Sequence, residues 1–182
     1  MTDQPAPAEA VIRTAAADDL PRIQAIYAHY VTTGVATFEI EPPDLAEMTR
    51  RFETLTGGGY PYIVAEAGGA VGGYAYAGPY RARPAYRHTV EDSVYVAPGH
   101  VGLGLGRGLL EEIIRRSTEA GFRQMMAVIS DDQSTVSIRL HARCGFEHTG
   151  VLKSVGYKMG RWIDSTLMQR PLGEGNRADP TR

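Results

Sequence analysis

The stretch Glu91–Leu110, EDSVYVAPGHVGLGLGRGLL, reads as a strand, a glycine-dense turn and a helix. Val94, Tyr95 and Val96 are β-formers, and Pro98-Gly99 ends their run. Five glycines lie from Gly99 to Gly108. Leu105, Leu109, Leu110, Ile113 and Ile114 then recur at helical spacing, with Glu111, Glu112, Arg115 and Arg116 on the other face. A strand that feeds a glycine turn into a helix N-terminus aims free backbone N–H groups and the positive end of a helix dipole at one small volume. That volume suits a phosphate or pyrophosphate; the same turn also serves as a plain helix start.

Two familiar phosphate-binding spacings are excluded. No glycine pair precedes Lys-Ser or Lys-Thr as a P-loop requires. The dinucleotide fingerprint fails because its third glycine falls on Arg107 or on Leu109.

Working outward, 182 residues suffice for one domain with a real core. A net charge of −2 gives no electrostatic case for nucleic acid or an anionic membrane. Cys144 is the single cysteine, which excludes an internal disulfide and a cysteine metal cluster. The five histidines show no ligand spacing, so no metal is expected. The start, MTDQPAPAEA, lacks the basic and apolar regions of a signal peptide, and a cytoplasmic protein is expected.

Residues 1–9 are Pro/Ala-rich and read as a disordered N-terminus. Val11–Ala15 reads as a first strand, with Asp18 as N-cap of a helix whose apolar face holds Leu20, Ile23, Ile26, Tyr27, Tyr30 and Val31. Gly34 ends it. A loop carrying Phe38, either a core plug or a pocket wall, leads to a second helix from about Asp44 to Leu55. YPYIVAE and AVGGYAYAG form a hairpin around Gly68-Gly69. A loop dense in Tyr80, Arg81, Arg83, Tyr86 and Arg87 follows, either an anion site or a solvated basic loop. Met125–Ile129 reads as a buried strand, SIRLHARC as a short helix capped by Ser134 or Thr135, and the rest as two strands turning at Met159-Gly160. Residues from Pro171 read as a disordered tail. The order is βααβββαβαββ, a single α/β domain over 10–170 with one mixed central sheet flanked by helices.

The glycine turn after VYVAP resembles the acyl-CoA turn of the GNAT superfamily of N-acetyltransferases, with Gly104 and Gly106 at its two glycines and Val101 in place of the usual Arg or Gln. From about Val11 to Arg170 the chain resembles the phosphinothricin / methionine sulfoximine acetyltransferase branch. VATFEIEP, YAGPYRARPAY, TVEDSVYVAP, SIRLHARCGFEHTG and GYKMGRWID carry the likeness; the last holds Tyr157, Lys158, Gly160, Trp162 and Asp164 of a Phe/Tyr-Lys-x-Gly-x-Trp-x-Asp pattern.

The resemblance implies a GNAT fold and transfer of acetyl from acetyl-CoA to the α-amine of a small amino-acid-like substrate. It implies that Val94, Tyr95, Val96, Gly102, Gly104, Leu105, Gly106 and Arg107 hold acetyl-CoA, with Ser134 where many members have an Asn against the pantetheine arm. Arg81, Arg83 and Tyr86 become candidates for the doubly polar substrate, with Phe38 as its apolar wall. Glu91 matches the general base of the branch, or else is a surface residue paired to a nearby arginine. Strand alternation turns Asp92 to the opposite face. His141 stands where many members have a Tyr; it either protonates the departing thiolate, shares in deprotonating the amine, or packs against the sheet. Cys144 reads as core packing. By analogy a homodimer is expected. Rival readings are acetylation of a peptide N-terminus or a polyamine, or a CoA-binding sensor without turnover; the basic loop speaks against a polyamine.

Overall fold

The computed structural model describes residues 10–131 and 135–180. Seven strands form one mixed sheet: β1 (Val11–Thr14), β2 (Tyr62–Ala67), β3 (Ala70–Pro79), β4 (Thr89–Val96), β5 (Gln124–Asp131), β6 (Glu147–Lys158) and β7 (Arg161–Pro171), in the order β1-β2-β3-β4-β5-β7-β6. Four helices flank it: α1 (Leu20–Thr33), α2 (Leu45–Gly57), α3 (Leu105–Glu119) and α4 (Thr135–Arg143). The element order is the one read from the sequence.

The Gly68-Gly69 hairpin forms because both glycines take positive φ, 62° and 80°, matching the twist of β2 and β3. On one face of the sheet, Leu105, Leu109, Leu110 and Ile113 of α3 are buried against Ile63, Ala75, Ala77 and Val90. On the other, Ile23, Ile26, Tyr27 and Val31 of α1 pack on an aromatic row, Tyr62, Tyr74, Tyr76 and Tyr95. Within β4, side chains at even positions (Val90, Val94, Val96) join the α3 cluster, while Tyr95 joins the α1 cluster.

Two expectations are corrected. Asp18 is exposed in a 3-10 turn, Ala17–Asp19, that precedes α1. The residue at the cap is Asp19, whose carboxylate accepts from Arg13 (2.7 and 2.8 Å) and from the Ala16 N–H (2.8 Å) instead of capping the helix. The chain also stays packed beyond Arg170. β7 includes Pro171, Leu172 is buried in the α3 cluster with its N–H on the Arg123 carbonyl (2.9 Å), and the Asp179 carbonyl accepts from Arg123. Residues 1–9, read as disordered, lie outside the described residues.

Candidate active site

β4 and β5 run parallel and pair over Thr89–Glu91 with Gln124–Met126. Beyond that they part, although β4 continues to Val96 and β5 stays zipped to β7 as far as Asp131. The parting opens a cleft of about 930 Å³ in the middle of the sheet.

The edge that β4 presents to this cleft follows from strand parity. The Thr89 carbonyl accepts from the Tyr80 N–H, and the Ala97 N–H donates to the Gly72 carbonyl, both on the β3 side. The β3–β4 ladder carries no register shift, so the intervening odd positions direct their backbone groups at β3. Val94 and Val96 therefore direct theirs into the cleft, past the last position paired with β5. The Tyr30 hydroxyl donates to the Val96 carbonyl there, at 2.5 Å.

The glycine turn closes one end of the cleft, which Gly102, Gly104, Leu105, Gly106 and Arg107 all line. Gly104 is the residue before α3 and sits at φ 81°, a left-handed conformation in which a side chain is strained. It turns the backbone so that the first N–H groups of α3 point outward, with no acidic residue in the first turn to occupy them. Arg107 reaches back to Glu111 at 2.8 Å on the exposed surface.

Glu91 lines the cleft on the α1 side of the sheet. It lies on the same strand face as Ser93 and Tyr95, and Ser93 is in register with Tyr76. Burial first, and the neighbouring Asp92 charge second, push its carboxyl from 4.5 up to about 7.

Phe38 also lines the cleft, and Gly156 of β6 fixes its place. A Cβ on Gly156 would come within 2.8–3.0 Å of the Phe38 ring, so the ring lies flush against bare backbone. The same loop is tied from three sides. Buried Lys158 donates Nζ–H to the Thr37 carbonyl (2.8 Å), the Tyr27 hydroxyl donates to Glu39 (2.9 Å), and Arg51 pairs with Glu39 at 2.6 Å.

His141, on α4, is buried and lines the opposite wall. Its Nδ1 is 2.8 Å from the Ser137 carbonyl and its Nε2 is 3.0 Å from Asp92 Oδ2. Burial opposes charge on the ring, but the Asp92 bond and charge together with the Ser137 carbonyl outweigh it and raise the pKa above the ordinary 6.5.

The structure thus gathers Glu91, His141, Phe38 and the residues from Val94 to Arg107 named above around one cleft. Arg81, Arg83 and Tyr86 are exposed and are not among the lining residues. Arg81 lies over the rings of Tyr80 and Tyr86, 5.2 and 6.0 Å from their centroids. Ser134 lies outside the described residues. The sequence reading turned Asp92 to the face opposite Glu91 but missed it as a partner of His141. It had Tyr30 only as a residue of a helix face and Lys158 only as part of the GYKMGRWID pattern; their partners, 66 and 121 residues away, leave no local signal.

A parted pair of parallel strands, with a glycine turn and helix N-terminus at one end, offers a free strand edge along the cleft and N–H donors suited to an anion at its end. The profile of the acetyltransferase (GNAT) domain matches residues 12–167. The chain belongs to the GNAT family of acetyltransferases. Among its GNAT relatives, phosphinothricin N-acetyltransferase of Alcaligenes faecalis is 53% identical over 93% of this chain and 86% of the relative. L-methionine sulfoximine/L-methionine sulfone acetyltransferase of Pseudomonas aeruginosa is 44% identical over 95% of this chain and 97% of the relative. The crystal structure of a GNAT superfamily phosphinothricin acetyltransferase from Sinorhizobium meliloti in complex with AcCoA superposes with a TM-score of 0.92 at 52% identity, covering 95% of this chain and 94% of that one. The superfamily resemblance drawn from the glycine turn and the branch resemblance drawn from GYKMGRWID and the other four segments are borne out by these relatives.

Proposed function

We propose that this GNAT enzyme transfers acetyl from acetyl-CoA to the α-amine of a small amino-acid analogue of the phosphinothricin or methionine sulfoximine kind. The observation that carries the reading is the single cleft holding a glycine turn at one end and a half-buried carboxyl, at about 7, in its wall. The substrate class comes from the relatives, whose names give phosphinothricin and methionine sulfoximine.

The residues present fit acetyl-CoA. The first N–H groups of α3, with Gly104 and Gly106, would hold the phosphates, and the edge of β4 at Val94 and Val96 would hold the amide-bearing arm. When bound, the thioester supplies the acetyl group. Glu91 takes the proton that the α-amine must lose, directly or through one water. The Val94 N–H faces the cleft and donates to the carbonyl oxygen as it gains charge. Phe38 gives the amine substrate an apolar wall. Arg81 and Arg83 stand on the loop that follows β3, which ends at Pro79 beside Gly78, the register partner of Glu91, and would meet the carboxylate or polar head of the substrate. The amine is small, and no nucleic acid or membrane enters the reaction; no helix among the described residues is long and apolar enough to cross a membrane.

A homodimer fits the same fold. Leu152, Val155, Tyr157, Met159 and Trp162 expose apolar surface along the β6–β7 hairpin, a composition suited to a second copy and poorly suited to water. A cytoplasmic location completes the reading.

The test is Glu91→Gln. Turnover should fall about 10²–10⁴-fold while the acetyl-CoA dissociation constant from calorimetry stays within about twofold. Unchanged turnover on an accepted amine would remove Glu91 as base, and acetyl-CoA binding with no turnover in the native chain would favour a sensor.

A further inference from the structure

A second cavity, of about 270 Å³, lies between α2 and the sheet, and the proposed reaction has not used it. Its walls are Tyr27, Tyr62, Tyr74 and Tyr76, with Met48 and Leu55 of α2. Tyr27 and Tyr76 also line the main cleft, so the two spaces adjoin across that pair. The junction is beside the proposed base. Tyr76 is in register with Ser93, bonds its side chain and feels the charge of Glu91. An amine held at Glu91 can therefore send its side chain past Tyr76 into the cavity.

Several polar groups around the cavity are already committed. The Arg51 guanidinium is on Glu39 at 2.6 Å and Glu47 at 2.7 Å. The Tyr27 hydroxyl is on Glu39 and Thr37, both at 2.9 Å, and the Thr54 hydroxyl donates to the Arg50 carbonyl at 2.7 Å. Tyr74 differs. It is fully buried, and its hydroxyl has no hydrogen-bond partner among the described residues. Tyr62 and Tyr95 stack on its ring, with centroids 6.0 and 5.2 Å away, and so hold the ring in place. Burial pushes the hydroxyl well above its ordinary pKa, so it keeps its hydrogen and can donate. A buried donor without an acceptor is costly, and a ligand that brings the acceptor relieves that cost.

We propose that this cavity is the subsite for the side chain of the amine substrate, and that the Tyr74 hydroxyl donates to the oxygen of a tetrahedral, methyl-bearing sulfur or phosphorus head. This rests on the acetyltransfer reading above and deepens it: the head goes to the tyrosines, and the carboxylate is left to Arg81 and Arg83. The aromatic walls and Met48 take the methyl and methylene groups. The hydroxyl tells an oxidised head from a plain thioether. Methionine would enter the same space and leave the buried donor unpaired. Tyr74 is thereby a specificity-determining residue.

The measurement is calorimetric titration of methionine sulfone, and separately of methionine, into the full chain saturated with CoA, where no acetyl can be transferred. The native chain should bind the sulfone about tenfold or more tighter than methionine. Tyr74→Phe removes only the hydroxyl. It should bind the two within about threefold of each other, by weakening the sulfone, and keep its CoA dissociation constant within about twofold. In turnover with acetyl-CoA, KM for the sulfone should rise in step, with kcat changed by less than about threefold. Thr54→Trp is a second variant, made from an exposed position of α2 that lines the cavity. It should weaken both ligands by about tenfold and leave CoA binding unchanged. Equal binding of the two ligands by the native chain, a sulfone preference that survives Tyr74→Phe, or unweakened binding to a folded Thr54→Trp overturns the proposal. A preference that depends on Tyr74, without turnover on any amine, upholds the subsite and counts against the acetyltransfer reading.

Discussion

At the scale of residues, Glu91 determines how the site responds to pH. Its carboxyl sits at about 7 where 4.5 is ordinary. A base must be ionised to act, so kcat/KM should rise with pH through about 7. Stability should run the other way. The native state holds the Glu91 proton to higher pH than the unfolded chain does. The contribution of that proton is therefore complete below about 4.5 and is lost as pH rises through about 7. Glu91→Gln should then raise Tm relative to the native chain at pH 8 and leave the two alike at pH 4.5, while removing turnover. Calorimetric scans at the two pH values check this; equal Tm differences at both would mean that Glu91 is not strained by burial. Glu91 was legible in the sequence because it precedes a recognisable strand and turn. That part burial would raise its pKa was also expected from its place on the strand, and burial is the first cause of the rise. Asp92 shows the converse: its strand parity was correctly read, but what stands on the other face could be known only once α4 was placed.

At the scale of elements, the turn before α3 and the loop after α1 each hold one end of the cleft. The turn is local. The glycine turn was read from its spacing, and Gly104 and Gly106 from its resemblance to the GNAT turn; the left-handed φ of Gly104 explains why that residue suits its position. Gly106→Asp gives opposed effects. An added Cβ there meets Leu140 and Val96 at 3.6 Å, ordinary contact, and an acid in the first turn suits the helix dipole. Folding stability should hold, yet the acetyl-CoA dissociation constant should rise about tenfold or more because the new carboxylate competes with the phosphates. A matching loss of Tm would instead show a damaged helix. The loop carrying Phe38 is the non-local case. The sequence left Phe38 open between plug and wall because its partner, Gly156, is more than a hundred residues away. Gly156→Ala should push the ring off its seat and raise KM for the amine about tenfold, with acetyl-CoA affinity unchanged. An unchanged amine KM would remove Phe38 from the substrate site.

At the scale of the whole molecule, the order βααβββαβαββ followed from hydrophobic periodicity and from turn residues, both local signals. What they could not show was the parting of β4 from β5. β5 keeps β7 along its other edge as far as Asp131 while β4 leaves it after Glu91, an arrangement that no local signal records. The exposed hairpin belongs to this scale as well. On the homodimer reading, Tyr157→Glu with Trp162→Glu should convert a dimer to a monomer in light scattering without loss of fold; a native chain that is monomeric at micromolar concentration would contradict it. The substrate class is likewise a property of the closed cleft and not of any one motif. The most direct test is thiol release from acetyl-CoA with the native chain on phosphinothricin, methionine sulfoximine, methionine sulfone, ordinary amino acids, spermidine and a short peptide. Saturable turnover confined to the first three, with the N-acetyl product identified by mass, is the predicted result; turnover on spermidine or the peptide in their place would contradict it.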